Sequence, residues 1–359
     1  MKLKPVALAL SIVVCGSTWA EPPSGYYVAL DPTNSETLRA SLHAVIDDHT
    51  WYPYTSADTD TWDIINLADE DPQNAANIID IYKNASYPKI PGGIGDYNRE
   101  HSWPNSFGFP DNQSGNYPYT DVHHLFASDA SYNLSRSNKP FRYCNSECLE
   151  QATLETNGQG GGVGVYPGNS NWTTGMRETG TWETWSKRQG DVARALMYMD
   201  VRYEGGTHSI TAHAEPDLIL TDNPALITTS DGNSDVGYMG LLTDLLDWHD
   251  QDQVSIDEQY RNDVVYEFQG NRNPFIDYPE LAQCVFLGSC DHLKCSGQDV
   301  SLIGIKYVAE SPACSATGSL KVGSVTVAAG ADVTYAAPVI TLTAGFTVES
   351  GGVLRIVNP

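Results

Sequence analysis

Apolar residues recur with a helical period through most of the chain and with a strand-like period near its end. In SETLRASLHAVIDD, residues 35–48, Leu38, Leu42, Val45 and Ile46 fall on one helical face. KRQGDVARALMYMDVRY, residues 187–203, repeats the pattern with Val192, Ala195, Leu196 and Met199, and its methionines read as core packing. Residues 237–266 carry helical spacing through Leu241, Leu242, Leu245, Leu246, Val264 and Val265. From Ser296 charge nearly vanishes, and the β-prone triplets VTV, VTY, ITL, FTV and LRI begin at residues 325, 333, 340, 346 and 354. Their regular spacing predicts a small β-module or a few coils of a solenoid. The expected fold is α+β: a mainly helical body over residues 21–295, then a β-rich module over 296–359 whose role is open.

Two polar clusters interrupt this pattern. YNREHSWPNS, residues 97–106, places Arg99, Glu100 and His101 shortly before Pro104. Neighbours on a strand point to opposite faces, so Glu100 and His101 share a pocket only if the strand ends or bends here, as Pro104 suggests. In TDVHHLFASDASYNLSRSNKPF, residues 120–141, Val122, His124 and Phe126 alternate with Asp121, His123 and Leu125, which predicts a short strand. Ser128 then offers an N-cap for a helix to about Arg136, and Asp129 opposes the positive end of its dipole. Asn133, Arg136 and Ser137 share one exposed face of that helix. Strand, loop, strand and helix make a ββα unit.

Composition sets the context. With 359 residues, 41% hydrophobic and 18% charged, the chain is composed like a folded protein. MKLKPVALALSIVVCGSTWA, residues 1–20, has two lysines, an apolar run and small residues ending at Ala20, and reads as a secretory signal peptide. No other stretch approaches the ~20 apolar residues of a membrane helix. A monomer secreted from the cell is expected, with the periplasm as the alternative location and no membrane insertion. Beyond Cys15, six cysteines remain, an even number that favours disulfides in an exported chain. The pairing is open in the sequence; Cys144–Cys148, Cys284–Cys290 and Cys295–Cys314 are expected as local pairs. A zinc site from Cys284, Cys290, His292 and Cys295 matches no common spacing.

The formal net charge of −25 argues against a polyanionic partner. Without Lys2 and Lys4 the balance is 18 basic against 45 acidic residues, or −27. Between Arg99 and Arg202, however, 9 basic residues face 11 acidic ones. That stretch is nearly neutral, while the acidic remainder reads as a solvated surface.

The two clusters also hold the chemistry. Glu100 and Asn133 supply oxygen ligands for a hard cation and leave positions for water. His101 can accept a proton from an attacking water near neutral pH. His43 and Asp47, four apart on the first helix, have a spacing far more common on plain surface than at a metal.

The runs YNREHSWPNSFG, TDVHHLFASDASYNLSRSNKPF, QGDVARALMYMDVRY and QGNRNPFIDYPELA, in that order between residues 97 and 282, resemble the landmark segments of the bacterial endonuclease I family of secreted and periplasmic non-specific nucleases. The resemblance implies a ββα-metal core, a divalent cation (Mg2+, or else Mn2+ or Ca2+), and endonucleolytic cleavage of DNA, often RNA too, to 5′-phosphates. Carried over position by position, it makes His101 the general base and Glu100 and Asn133 the metal ligands. Arg136 would join the catalytic set near the substrate phosphate, while Arg99, His123 and His124 would shape the site. Smaller members carry one histidine followed by Asn in place of the His123–His124 pair, and Ala127 stands where the family often has proline. The module from Ser296 lies outside the resemblance. The alternatives are a surface-attachment or nucleic-acid-binding protein on an inactive nuclease scaffold, which the joint presence of Glu100, His101 and Asn133 disfavours, and a phosphatase or phosphodiesterase for small substrates.

Overall fold

The structure, a computed structural model, describes residues 22, 23, 25–93, 95–144, 147–307, 312–343 and 345–357. The expected signal peptide, Cys15 included, lies outside the described residues. The chain divides into two compact units, one spanning Ser35–Gly288 and the other combining Met1–Asn34 with Ser289–Pro359.

Within Ser35–Gly288, the helix Ser35–Ile46 buries Leu38, Leu42 and Ile46 as its periodicity requires. The helix Gln189–Arg202 is buried along all 14 residues, not on one face only. Its charged side chains are therefore paired: Arg194 with Glu258 at 2.6 Å and Arg202 with Glu215 at 2.9 Å, as buried charges require. Residues 237–266 are not the continuous helical stretch their spacing suggests. Val236–Met239 is a strand parallel to Asp217–Leu220, followed by the helices Leu242–Gln251 and Ile256–Gln269. Gly240 makes the break possible, since a Cβ there would meet Thr221 O at 2.2 Å. A capping box between Ser255 and Glu258 starts the second helix afresh.

The ββα unit is present, with shifted boundaries. Tyr97–His101 pairs antiparallel with Leu125–Asp129, setting Glu100 opposite Phe126 and His101 opposite Leu125. The strand begins at Leu125 rather than at Val122, because residues 122–124 form a turn in which the His123 amide donates to Asp121 Oδ1 at 3.0 Å. The helix Ala130–Arg136 is capped by Asp129, not Ser128. Ser128 sits in the strand opposite Asn98, while Asp129 Oδ1 accepts from the amides of Ser131 (2.8 Å) and Tyr132 (3.2 Å). Trp62, Ile65, Tyr97, Leu125, Ala127 and Val265 pack into one apolar cluster against this hairpin.

The Ser289–Pro359 segment is built from parallel strands. Val300 pairs with Leu320 and Leu320 with Ile340; Thr326 pairs with Thr347; Cys314 pairs with Tyr335 and Tyr335 with Ile356. Parallel pairing at a shift of 20 or 21 residues describes the coils of a solenoid, and Val300, Leu320, Val325 and Val333 fill its interior. Disulfides join Cys144 to Cys148 and Cys295 to Cys314. Cys284 and Cys290 are disulfide-bonded too, so none of the three cysteines of the zinc alternative offers a thiolate. Among the described residues, no helix is long and apolar enough to cross a membrane.

Candidate active site

Glu100 lies on the inner face of its strand, 2% exposed. Its Oε1 accepts from the Tyr82 hydroxyl at 2.7 Å and lies 3.2 Å from Arg136 Nη1. Among the described residues, Oε2 accepts no hydrogen bond. Burial pushes the carboxyl up to about 7, against the opposing pull of Arg136 and Tyr82.

His101 closes the strand and is half-buried. Its Nε2 is 2.9 Å from the Tyr119 carbonyl. A carbonyl only accepts, so Nε2 carries the proton and Nδ1 of the neutral ring keeps its lone pair. No described residue occupies Nδ1. The ring stacks on Tyr54 at 5.8 Å and meets Tyr119 edge-on at 4.8 Å. Burial, then the neighbouring His124, hold its pKa well below the ordinary histidine value, so the ring is neutral at neutral pH. Glu100 and His101 have separate side-chain partners and are linked through Arg136.

The helix Ala130–Arg136 is tied to the first strand at two points. Asn133 Nδ2 donates to Asn98 Oδ1 at 2.7 Å and to the Arg99 carbonyl at 3.1 Å. Because both donations require the amide nitrogen, the Asn133 carbonyl oxygen Oδ1 is left over, and no described residue donates to it. Arg136, 1% exposed, donates to the carbonyls of His101 (3.1 Å) and Ser102 and stacks on Phe141 at 4.3 Å. Its contacts are thus with Glu100, Phe141 and the backbone carbonyls of His101, Ser102 and Ser137.

The other expected residues surround these. Arg99 lies 3.3 Å over the Tyr54 ring and donates to Thr61 Oγ1 at 2.8 Å and Thr55 Oγ1 at 3.1 Å, so it touches His101 only by way of Tyr54. His124 is buried, 5.4 Å ring to ring from His101, with Nε2 on the Pro118 carbonyl at 2.7 Å and Nδ1 unpartnered. His123 packs on Tyr198 at 4.4 Å and holds the Asn271 carbonyl at 3.1 Å. Burial pushes both histidines down to about 4. His43, whose Nδ1 meets the Val201 carbonyl at 3.0 Å, and Asp47, paired with Arg202 at 2.6 Å, are structural.

Sequence reasoning passed over Tyr82, Tyr119, Tyr54 and Asn98, which hold Glu100, His101, Arg99 and Asn133 respectively. No local spacing marks them, since Tyr82 precedes Glu100 by 18 residues and Tyr119 contributes only its backbone oxygen. It also passed over Asp121, a buried carboxylate accepting from Tyr198 (2.8 Å), Tyr203 (2.9 Å) and Gln269 (3.0 Å).

Among the described residues, no group of three or more His, Cys, Asp or Glu converges as a metal site. Glu100 Oε2 and Asn133 Oδ1, one carboxyl and one amide oxygen that accept no hydrogen bond among the described residues, fit a hard divalent cation that keeps most of its water. They do not fit a soft or nitrogen-seeking metal.

The sequence model of the family Endonuclease I matches residues 34–280, which include the ββα unit and the buried central helix. The chain is 37% identical over 260 residues to an extracellular ribonuclease of Bacillus amyloliquefaciens, covering 72% of this chain and 76% of that one. It is 36% identical over 276 residues to an extracellular ribonuclease of Bacillus subtilis (strain 168), covering 76% of this chain and 82% of that one. The matched residues of the family model include Glu100, His101 and Asn133, and the chain belongs to the endonuclease I family.

Proposed function

We propose that the protein is an exported, divalent-metal-dependent endonuclease that hydrolyses phosphodiester bonds of DNA and RNA without sequence preference and leaves 5′-phosphates. The observation that carries this reading is the orientation of His101. With Nε2 committed to the Tyr119 carbonyl, Nδ1 is available to take a proton from an attacking water. Glu100 Oε2 and Asn133 Oδ1 would hold the cation, Mg2+ by the chemistry of the donors. When bound, such a cation supplies Lewis-acid stabilisation of charge on a phosphoryl oxygen. Tyr82 and Arg136 fix the carboxylate, and Tyr54 and Tyr119 fix the imidazole ring. Contacts to backbone phosphate rather than to base edges account for the lack of sequence preference. Disulfides that persist in oxidising compartments, an N-terminus that reads as a signal peptide, and relatives named extracellular support export.

Supercoiled plasmid and structured RNA incubated with the purified protein test this reading. Mg2+ should support cleavage of both, EDTA should abolish it, and p-nitrophenyl phosphate should remain intact. Cleavage that persists in EDTA contradicts metal dependence; intact plasmid and RNA in Mg2+ contradict the nuclease reading.

A further inference from the structure

Most positive charge in the Ser35–Gly288 unit is used internally. Arg136, Arg194, Arg202 and Arg261 are buried against carboxylates, and Lys83 and Lys89 pair with Asp129 and Glu70. Among its described residues, the side chains of Arg142, Arg177 and Lys187 alone donate to no oxygen, and Arg142 lies in the field of Asp244. A polyanion approaching so acidic a chain meets few unpaired cations.

Arg177 occupies the exposed tip of the hairpin formed by Ser170–Thr174 and Thr181–Glu183. That hairpin is pinned to the helix carrying Asn133. Lys139 Nζ donates to the Ser135 carbonyl at 2.7 Å and to Thr173 Oγ1 at 2.8 Å, and the Trp182 amide donates to the Pro140 carbonyl at 3.0 Å. The tip lies against Lys139, since a Cβ on Gly180 would meet Lys139 Cγ at 2.8 Å. Arg177 is four residues from Thr173, at most ~14 Å of extended chain.

Leu134, beside Asn133, is 80% exposed and Met176, beside Arg177, is 78% exposed. Single exposed apolar residues are ordinary, but these two belong to elements joined by Lys139, and Met176 adjoins the guanidinium that has no partner among the described residues. Arg177 has φ 49°, a conformation that favours Asn, Asp or Gly, so backbone preference does not explain an arginine here. Glu178 follows it and forms no ion pair with it among the described residues.

We infer that the Met176–Arg177 tip, together with Leu134, receives the nucleic-acid strand. Arg177 neutralises a backbone phosphate, and Met176 and Leu134 lie against sugars and bases. This rests on the nuclease reading above, and the phosphate chemistry is shared by RNA and DNA.

The test is the salt dependence of kcat/KM for an RNA and a DNA substrate, with Mg2+, in wild type, Arg177→Gln, Arg177→Lys, Met176→Ser and Leu134→Ser. Arg177→Gln should reduce the slope of log kcat/KM against log salt by about one, the signature of one lost phosphate contact. The loss should fall on KM. Arg177→Lys should restore the slope, which a merely structural role would not require. Met176→Ser and Leu134→Ser should raise KM and keep the slope. A loss with either polymer supports the inference and identifies which one the tip serves. A wild-type slope in Arg177→Gln with both polymers overturns it, as does a wild-type KM in both apolar variants. Wild-type protein that cleaves neither polymer overturns the nuclease reading, and this inference with it.

Discussion

The Tyr82 hydroxyl donates to Glu100 Oε1 over 2.7 Å. With Arg136 on the same oxygen, the carboxylate is anchored through one atom while Oε2 keeps its lone pairs. Tyr82→Phe removes the anchor but keeps the ring packed edge-on against Trp182 at 5.0 Å. Loss of such a supporting hydrogen bond typically costs about 10–100-fold in metal affinity or activity. Titrating activity against Mg2+ should show a raised half-saturation concentration with a folded protein; an unchanged titration would show that the anchor is irrelevant to the cation.

Arg136 is a second anchor with a different expected outcome. Buried between Glu100 and three backbone carbonyls, it cannot be removed without stranding a buried carboxylate. Arg136→Ala should therefore destabilise folding by about 3–5 kcal/mol, measured by denaturant unfolding. Arg136→Lys should recover only part, because one ammonium cannot reproduce the fork. If Arg136 acted on substrate phosphate alone, the alanine variant would keep wild-type stability and lose only in KM.

The buried histidines make stability pH-dependent. Burial, then Arg194, hold His249 down to about 4, while Nε2 bonds the Pro279 carbonyl at 3.0 Å. Because the folded pKa lies below the unfolded value near 6.5, this residue's contribution is present above pH ~6.5 and is lost as pH falls toward 4. The loss is on the order of 2–3 kcal/mol between pH 7 and 4. His123 and His124 act in the same direction, whereas Asp200, pushed up to about 6 mainly by burial, acts oppositely. Unfolding free energies of wild type and His249→Gln should therefore converge as pH is lowered. Parallel curves would contradict this assignment.

The sequence was most legible where a pattern is local and repeated. Leu38, Leu42 and Ile46 mark one helical face, and the triplets after Ser296 mark solenoid coils because each coil repeats the same strand positions. Ser128 misled because a capping residue is chosen by which side chain reaches the first free amides, and strand pairing with Asn98 had already committed Ser128. Residues 237–266 misled because a hydrophobic run does not show the close approach of Gly240 to Thr221. Tyr82 and the Tyr119 carbonyl were invisible because their roles exist only after distant segments meet. The stretch from Arg99 to Arg202 is nearly neutral by count, yet its Arg136, Arg194 and Arg202 are consumed in buried pairs. Charge counts do not distinguish a binding surface from an internal ion-pair network.

Activity against Mg2+ concentration in three variants separates the role of His101 from that of the two oxygen donors. His101→Ala should lower the rate by roughly 10²–10⁴, the usual worth of a positioned proton acceptor, and added Mg2+ should restore none of it. Glu100→Gln and Asn133→Ala should shift the Mg2+ dependence to higher concentration and regain part of their activity there. Rescue of His101→Ala by excess Mg2+ to the same extent as the other two, or near-normal plasmid cleavage by His101→Ala at saturating Mg2+, would contradict the account.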